Sequence, residues 1–302
     1  MLKKIAENNL FLLIILSSIW GSAFFAIKIS VESIHPISVA SFRLTIAALI
    51  LLIYFLYKGY KFNFELNVYV RIFFIALFGN FIPFSLISWS EIYIDSNLAG
   101  LLLSVSPIFA LIFSHYLTND DKFSYIKLIS IILGLIGVII LLGLDSIIFI
   151  FKGNLFLILP KLAVIIAAMG YVISSIIAYN LKKLNTISLT TTVVIFSSIM
   201  SLPFMLFYEI NNFSEPNIES ILAVIYLGIM PTALAYLLRF YIISRAGPVY
   251  LSYVAYLIPI FAIIWGVLLL DEKVNFNSLL ALLFIFAGIY FGEKASSAKN
   301  NL

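Results

Sequence analysis

Two seven-residue segments are the most informative part of the sequence for the fold: PIFALIF at residues 107–113 and PIFAIIW at residues 259–265. They are identical at five of seven positions, and each begins with a proline inside a long apolar run. Proline has no backbone N–H and clashes with the preceding turn, so it breaks or kinks a helix. Because the two segments lie about half a chain apart, they predict an internal duplication in which both copies have a proline-interrupted helix at the same position.

The similarity extends beyond the two segments. A short acidic-basic turn follows each one, Asp121-Lys122 in the first half and Glu272-Lys273 in the second. We therefore predict two repeats, residues 1–150 and residues 151–302. Further matched positions are Gly137 with Gly288, and the spaced pair Gly79…Pro83 with Gly228…Pro231.

The composition indicates which solvent surrounds the chain. Of its 302 residues, 63% are hydrophobic and 11% are charged, whereas a soluble domain has about 25% charged residues. Too few polar residues remain to cover a water-facing surface, so we expect the chain in lipid. A helix of about 20 apolar residues spans a bilayer. Ten such spans are predicted, near residues 10–31, 36–57, 70–90, 96–117, 126–144, 154–181, 186–208, 220–243, 248–270 and 275–292.

Five helices in each repeat have a geometric consequence. Because five is odd, the second repeat must enter the membrane from the opposite face. The predicted fold class is an all-α integral membrane protein with ten transmembrane helices in a 5+5 inverted-topology repeat, an architecture of many secondary transporters. Prolines at matched depth then serve as hinges around a shared cavity, or they are inherited from the duplication without a role. The predicted hinges are Pro83, Pro107, Pro231 and Pro259.

The basic residues predict the orientation. If both termini are cytoplasmic, most of the 18 Lys and Arg residues fall in inner loops, as the positive-inside rule requires. Arg239 is expected in this inner set. The predicted location is the cell inner (plasma) membrane, crossed several times, with both termini in the cytoplasm.

Several stretches resemble the drug/metabolite transporter superfamily, in particular its EamA-type ten-helix permeases. They are SSIWGSAFFAIK at residues 17–28, ISVASFRLTIAAL at residues 37–49 and SWSEIYIDSNLAGLLLSVSPIFALIF at residues 88–113. The resemblance covers almost the whole chain and implies a five-plus-five duplication with cytoplasmic termini. It also implies transport of amino acids, other metabolites or drugs, while related branches move nucleotide sugars or phosphorylated sugars. Glu91 departs from the family pattern, and it is either specific to this branch or a solvated helix end.

Three cations lie well inside the predicted spans: Lys28, Arg43 and Lys161. A charge at mid-membrane is costly, so such residues serve a function or extend to the headgroups. Lys28 lies near an outer end and can reach the headgroups, whereas the other two lie deeper. Arg43 resembles the family's helix 2 arginine, which suggests either a structural role or a role in transport. The three cations together predict a cluster that attracts solutes bearing a carboxylate or a phosphate.

Aromatic and hydroxyl side chains complete the predicted site. Tyr and Trp join an apolar body to one polar group, which suits an amphipathic metabolite, but both also line membrane interfaces. Ser104 could bond a ligand or the carbonyl groups of its own helix. The predicted substrate-binding residues are Trp20, Phe24, Lys28, Arg43, Trp89, Ser104, Lys161, Tyr171, Tyr236, Tyr253 and Tyr256.

Missing motifs narrow the classes of function. The chain has no cysteine and two histidines in different segments, so we expect neither a metal site nor a cofactor. It has no GxxxxGK[ST] phosphate loop, so this chain is not expected to hydrolyse ATP. The spans show no carboxylate pair and no serine–base dyad, so an enzyme is not expected.

The predicted function is secondary transport of small metabolites by alternating access, with export of amino acids or related amphipathic solutes as the first choice. The alternative is an uptake permease or exchanger for a nucleotide-like or phosphorylated solute. A channel and an intramembrane enzyme are remote alternatives. The expected partners are a small-molecule substrate and the lipid bilayer, without nucleic acid, for a monomer or a homodimer.

Overall fold

The computed structural model describes residues 8–143, 155–212, 215–270 and 276–297. The predicted boundary between the repeats, at residues 150 and 151, lies outside these ranges. Within them the chain is helical and contains no strand. The helices are α1 (Asn9–Ser30), α2 (Pro36–Tyr57), α3 (Leu66–Ser90), α4 (Ser96–Leu103 and Ser106–Leu117), α5 (Tyr125–Leu142), α6 (Leu155–Tyr179), α7 (Thr186–Asn212), α8 (Ile218–Ser252), α9 (Val254–Leu270) and α10 (Phe276–Ser297).

Seven helical stretches in the described part of the chain are long and apolar enough to cross a membrane. They are α1, α2, α3, most of α4, α6, α7 and α8, and α5 is a shorter apolar helix. Large apolar side chains on these helices remain exposed, among them Ile53, Phe207 and Ile210. A continuous apolar exterior of this kind is suited to lipid rather than water. The chain is therefore a multi-pass membrane protein.

Side chains of the local sequence define where several helices begin. The first N–H groups of a helix have no partner within it, and Asn or Ser at the preceding position can accept a hydrogen bond from one of them. Asn8 does this for α1 at 3.1 Å, Ser124 for α5 at 3.3 Å and Asn217 for α8 at 2.7 Å. Pro36 begins α2, where its missing N–H removes no helical bond.

Two helices contain π-helical segments at the two spaced Gly and Pro pairs, Gly79…Pro83 and Gly228…Pro231. The segment in α3 is Leu77–Phe81, and the segment in α8 is Gly228–Leu234. Pro83 lies in the first turn after the first segment, and Pro231 lies inside the second. Because proline cannot donate a backbone hydrogen bond, these turns leave carbonyl groups for other partners.

Proline also lies near further interruptions of the helices. The break in α4 at residues 104–105 directly precedes Pro107, which lies in the first turn of the second part. In α8, Gly247 adopts φ 87° and ψ 170°, so a new helical segment begins at Pro248 and leads into α9. Pro259 lies inside α9. The hinge role of these prolines stays a prediction.

Each helix packs mainly against helices that are distant from it in the sequence. Helix α1 packs against α8 and α9, and α6 packs against α3 and α4. Helix α2 packs against α7 and α8, and α7 packs against α2 and α3. Helix α5 packs along α10, where a Cβ atom on Gly137 would lie 2.5 Å from Ile285, and one on Gly288 would lie 2.7 Å from the Ser130 carbonyl. Glycine therefore permits the close approach of α5 and α10.

Candidate functional site

A cavity of about 100 Å³ lies at the centre of the helices, between α1, α2, α3, α4, α6, α8 and α9. This volume holds several water-sized groups. Its wall is mostly aliphatic and aromatic, and a few polar side chains interrupt it. Apolar pockets with a small number of placed polar groups are typical sites for small molecules. The polar residues of the wall include Arg43, Ser106, Ser175, Arg239 and Ser252.

Arg43 reaches the cavity from α2 and is only 3% exposed. Its Nε donates a hydrogen bond to Thr232 Oγ1 at 3.1 Å. Its Cζ atom lies 3.8 Å from the centre of the Phe84 ring, a distance at which a guanidinium is attracted to the aromatic face. A cation at membrane depth costs roughly 2.5–3.5 kcal/mol on insertion scales, and these two contacts offset part of that cost.

Arg239 reaches the same cavity from α8 and is 1% exposed. Its Nη2 donates to Ser174 Oγ at 2.9 Å and to Ser175 Oγ at 3.2 Å, both on α6. Its Cζ lies 5.0 Å from the centre of the Tyr236 ring. Its Nη1 is buried and makes no hydrogen bond within the described residues. Arg239 is therefore a second buried cation in the wall of this cavity, in addition to Arg43.

The expectation that Arg239 belongs to an inner loop is wrong, because α8 continues past it to Gly247. A signal for this was present in the sequence, since Arg239 already lies inside the predicted span 220–243. The stretch FYIIS follows it before the next charge, Arg245. At least one further turn of mainly apolar helix therefore separates Arg239 from Arg245 and from the break at Gly247.

Two aromatic side chains in the cavity wall bond carbonyl groups of the π-helical segments. Trp20 Nε1 on α1 donates to the Pro231 carbonyl at 3.0 Å. Tyr236 Oη on α8 donates to the Gly79 carbonyl at 2.9 Å. Both acceptors belong to the interrupted parts of α8 and α3, where the regular helical ladder is disturbed. The interruptions thus hold two polar aromatic residues against the cavity.

Five of the predicted substrate-binding residues line this cavity: Trp20, Phe24, Arg43, Tyr171 and Tyr236. They come from α1, α2, α6 and α8, so residues that are distant in the sequence meet at one place. Substrate binding by these residues stays a prediction.

Lys28 lies outside the cavity wall, in the last turn of α1. Its Nζ donates to the backbone carbonyl of Glu91 at 2.6 Å. The Glu91 side chain is completely buried, so Glu91 is not a solvated helix end. Its Oε2 accepts from Ser96 Oγ at 3.0 Å, and its Oε1 has no hydrogen-bond partner in the described part of the chain. Burial raises the pKa of Glu91 to about 8, although Ser96, Lys28 and Arg43 oppose the shift.

Tyr253 and Tyr256 are fully buried but pack away from the cavity. Tyr256 Oη donates to the Ile131 carbonyl on α5 at 3.1 Å, and its ring lies against Gly134 of the same helix. The two tyrosine rings stack with their centres 6.2 Å apart. These contacts join α9 to α5, and a role of the two tyrosines in substrate binding stays a prediction.

The remaining predicted residues also lie outside the cavity wall. Trp89 packs edge-on against Tyr93 with ring centres 5.4 Å apart. Ser104 donates to the Leu101 carbonyl of its own helix at 2.5 Å. Lys161 is buried on α6. A role of these three residues in substrate binding stays a prediction.

Two adjacent aspartates form ion pairs after the end of α4. Asp121 Oδ1 lies 2.6 Å from Lys127 Nζ, and both side chains are buried. Asp121 Oδ2 also accepts the backbone N–H of Val249 at 3.2 Å. Asp120 lies 2.6 Å from Lys182, but this pair is largely exposed. The segment after α4 is thereby tied both to α5 and to the helical segment that leads into α9.

No three His, Asp, Glu or Cys side chains in the described ranges come close enough together to hold a metal ion. The chemistry that the site offers is that of cations, hydroxyl groups and aromatic rings in an apolar enclosure.

Comparison with known proteins gives one family and a consistent set of relatives. The sequence model of the EamA-like transporter family matches residues 8–143 and again residues 152–291. An "Uncharacterized transporter" of Archaeoglobus fulgidus is 28% identical over 90% of this chain and 93% of its own length. Another of that name, from Buchnera aphidicola subsp. Schizaphis graminum, is 30% identical over 86% of this chain and 84% of its own.

Two further matches cover nearly the full length. Protein PagO of Salmonella typhimurium is 26% identical over 96% of this chain and 93% of its own. A solved crystal structure superposes with a TM-score of 0.75 over 95% of this chain and 96% of that chain, at 18% identity. That identity is low enough that the superposition supports the fold alone.

Proposed function

The chain belongs to the EamA-like transporter family, and we propose that it is a secondary transporter that moves a small metabolite across the membrane by alternating access. The observation that carries the proposal is the central cavity, because helices from both halves of the chain contribute to its wall. A site at the interface of two repeats can face one side of the membrane and then the other when the halves rock. The names of the family and its relatives point to a transporter rather than an enzyme.

The helix contacts support a 5+5 inverted repeat. Replacing each helix by the one five places away converts the contacts of α1 with α8 and α9 into those of α6 with α3 and α4. The contact of α2 with α8 becomes that of α7 with α3, and the α2–α7 and α5–α10 contacts map onto themselves. The family model also matches each half of the chain separately. The matched π-helical segments of α3 and α8 fit the same relationship.

The exposed basic residues support cytoplasmic termini in a plasma membrane. Lys58, Lys61 and Arg71 are exposed around the α2–α3 connection, and Lys182 and Lys183 are exposed between α6 and α7. In the proposed arrangement both connections lie on the cytoplasmic side. Basic residues in short cytoplasmic loops are what the positive-inside rule predicts. Arg239 no longer contributes to this argument, because it is buried.

Export of amino acids or related amphipathic solutes is the proposed physiological activity. The aromatic residues Trp20, Tyr171 and Tyr236 offer apolar surface with polar edges, which suits such solutes. Uptake or exchange of a phosphorylated or nucleotide-like solute is the second candidate. It is favoured by the two arginines in the cavity wall, since guanidinium groups bind phosphate well.

Counterflow in proteoliposomes tests the proposed function. Vesicles that contain the purified chain and excess unlabelled solute should accumulate the labelled solute transiently and saturably, in a screen of amino acids, nucleosides and sugar phosphates. Trp20→Ala should reduce the rate because it enlarges the cavity and removes the bond to Pro231. Ile199→Ala, at an apolar position in the middle of α7 that is 60% exposed, is the matched control and should transport normally. Flux that does not saturate and shows no counterflow would indicate a channel.

A further inference from the structure

Two buried arginines share one cavity, and we propose that Arg43 and Arg239 together bind the anionic group, a carboxylate or a phosphate, of the solute that this protein carries. The inference deepens the proposed function and rests on it, because the bound solute is taken to be the transported one. Lys28 and Lys161, which the sequence favoured alongside Arg43, lie outside the cavity wall. Arg239 takes their place as the second cation.

Within the described ranges, no ionised carboxylate balances the two arginines of the cavity. The ion pairs that the structure describes join Asp121 to Lys127 and Asp120 to Lys182. In that part of the chain, neither arginine has a carboxylate oxygen within 4.0 Å. Glu91 lies near Arg43, but its buried carboxyl with a pKa of about 8 is mostly protonated at neutral pH. Buried charges are normally paired, so a ligand anion would complete the site.

Both guanidinium groups have donors to spare. The hydrogen bond of Arg43 within the described residues is the one from Nε to Thr232. Arg239 Nη2 donates to Ser174, to Ser175 and, at 3.4 Å, to the Tyr171 carbonyl, while Nη1 has no partner in the same residues. A guanidinium carries five N–H donors in a planar fork that matches carboxylate and phosphate oxygens. The two residues therefore offer more donors than their protein neighbours accept.

Helix α8 carries Arg239 and accepts the hydrogen bond of Arg43. Tyr236 and Arg239 are three residues apart on its α-helical part, so they lie on one face of the helix. Arg43 bonds to Thr232 from α2, roughly 10 Å along the axis from Arg239. The rings of Phe84 and Tyr236, with centres 6.0 Å apart, connect the two cations. An anionic group in the cavity would thus lie within reach of two long side chains held by aromatic neighbours.

The rest of the wall restricts the ligand further. The cavity holds about 100 Å³, and its lining outside the two arginines is mainly apolar. The solute chemistry that fits is a small metabolite with one anionic group and an apolar or aromatic body. The competing interpretation is that both arginines only join helices, Arg43 joining α2 to α8 and Arg239 joining α8 to α6. A purely structural role would not distinguish an anion from its neutral analogue.

Binding to the purified full-length chain in phosphatidylcholine nanodiscs tests the inference. The probes are inorganic phosphate, phenylacetate and phenylacetamide, the neutral analogue of phenylacetate. Binding is measured as the shift of the thermal unfolding midpoint with probe concentration. We expect phosphate and phenylacetate to stabilise the wild type and phenylacetamide to leave it unchanged. The wild type alone can overturn the inference. It does so if phenylacetate and phenylacetamide stabilise it equally, or if neither phosphate nor phenylacetate stabilises it.

Substitutions then assign the effect to the two residues. Arg43→Gln and Arg239→Gln should weaken anion binding roughly tenfold to a hundredfold, the effect of losing one hydrogen bond to a charged group. If Arg239→Gln does not fold, Arg239→Lys replaces it in the test. The Lys variant keeps the positive charge but loses the planar guanidinium, so it should bind anions more weakly than the wild type. Arg71→Gln, at an exposed position of α3, is the matched control. Unchanged anion binding in the folded Arg43 and Arg239 variants overturns the assignment.

Two further experiments complete the test. The first distinguishes a lipid headgroup from a soluble solute as the bound anion, and the second distinguishes failure of this inference from failure of the proposed function. If a lipid headgroup occupies the site, phosphatidylglycerol in the nanodiscs will compete with phenylacetate, which overturns the inference of a soluble solute. Saturable counterflow that Arg239→Gln leaves unchanged for every solute overturns the inference while the proposed function stands. Anion binding that depends on both arginines, without counterflow of any solute, supports the site and removes the transport function.

Discussion

The adjacent aspartates after α4 provide a sharp test of how burial sets the strength of an ion pair. Asp121 lies 2.6 Å from Lys127, with side chains that are 4% and 5% exposed. Asp120 lies at the same distance from Lys182, with side chains that are 42% and 35% exposed. Breaking a buried pair leaves an uncompensated charge and costs about 3–5 kcal/mol. An exposed pair contributes about 0–1 kcal/mol.

We therefore expect Asp121→Asn to lower the free energy of unfolding by about 3–5 kcal/mol and Asp120→Asn by about 1 kcal/mol or less. The Asn side chain keeps the shape of Asp and can still accept the N–H of Val249, so the difference isolates the charge. Unfolding can be followed by circular dichroism in mixed micelles as the fraction of dodecyl sulfate rises. Replacing Lys127 by Met in the Asp121→Asn background should recover part of the loss, because it removes the stranded cation.

Equal losses for the two aspartates would refute this reasoning, since the two pairs match in distance and differ in burial. A double variant that is less stable than Asp121→Asn alone would also contradict it. That result would mean that Lys127 contributes chiefly through its bond to the Lys122 carbonyl, at 2.7 Å, rather than through its charge.

Further predictions concern packing, protonation and the π-helical segments. Gly288→Ala should destabilise the chain by about 1–3 kcal/mol in the same unfolding assay, because its Cβ would meet a backbone carbonyl of α5 at 2.7 Å. Gly100→Ala, whose nearest neighbour would be 4.0 Å away, should be neutral or stabilising. For Glu91, the pKa is raised from 4.5 to about 8 in the folded chain, so the protonated form is favoured there. Below about pH 4.5 the wild type and Glu91→Gln should have the same free energy of unfolding, and that of the wild type should become progressively lower than that of the variant as the pH rises to about 8. A difference in free energy that stays constant across this pH range would argue against a buried carboxyl. Tyr236→Phe should cost about 1–3 kcal/mol, because the Gly79 carbonyl loses its donor, and no measurable loss would show that the interrupted turn of α3 needs no partner.

The membrane-spanning helices could be predicted from the sequence because hydropathy and capping are local properties. A span of apolar residues must bond its own backbone in lipid, and Asn8, Ser124 and Asn217 lie where a helix needs an acceptor. The spaced Gly and Pro residues at 79–83 and 228–231 indicated weak points in α3 and α8. Their π-helical geometry could not be foreseen from residue type, nor could the hydrogen bonds that Trp20 and Tyr236 donate to the Pro231 and Gly79 carbonyls from positions distant in the sequence.

The candidate site was only partly predictable, because residue type does not tell which face of a helix meets the cavity. Tyr236 and Tyr256 look alike in the sequence, yet Tyr236 lines the cavity and Tyr256 packs on α5. Arg239 lies inside the predicted span 220–243 but was missed as a cavity residue, because the sequence does not show which face of α8 meets the cavity. Glu91 directly follows the predicted span 70–90, and this position suggested a helix end in contact with solvent. Tertiary packing buries its side chain, and the sequence does not show that packing.

Access to Ser106 from the two sides of the membrane tests the central claim most directly. The chain has no native cysteine, so Ser106→Cys would provide a single reactive thiol in the middle of the cavity wall. Alternating access predicts that a membrane-impermeant thiol reagent modifies this residue when applied from either side, and that a transported solute slows the modification from both. Ile199→Cys, at an exposed apolar position in the middle of α7, should resist the reagent. Modification of the Ser106→Cys chain from one side alone, or no effect of any transported solute, would contradict a pathway that opens alternately to the two compartments.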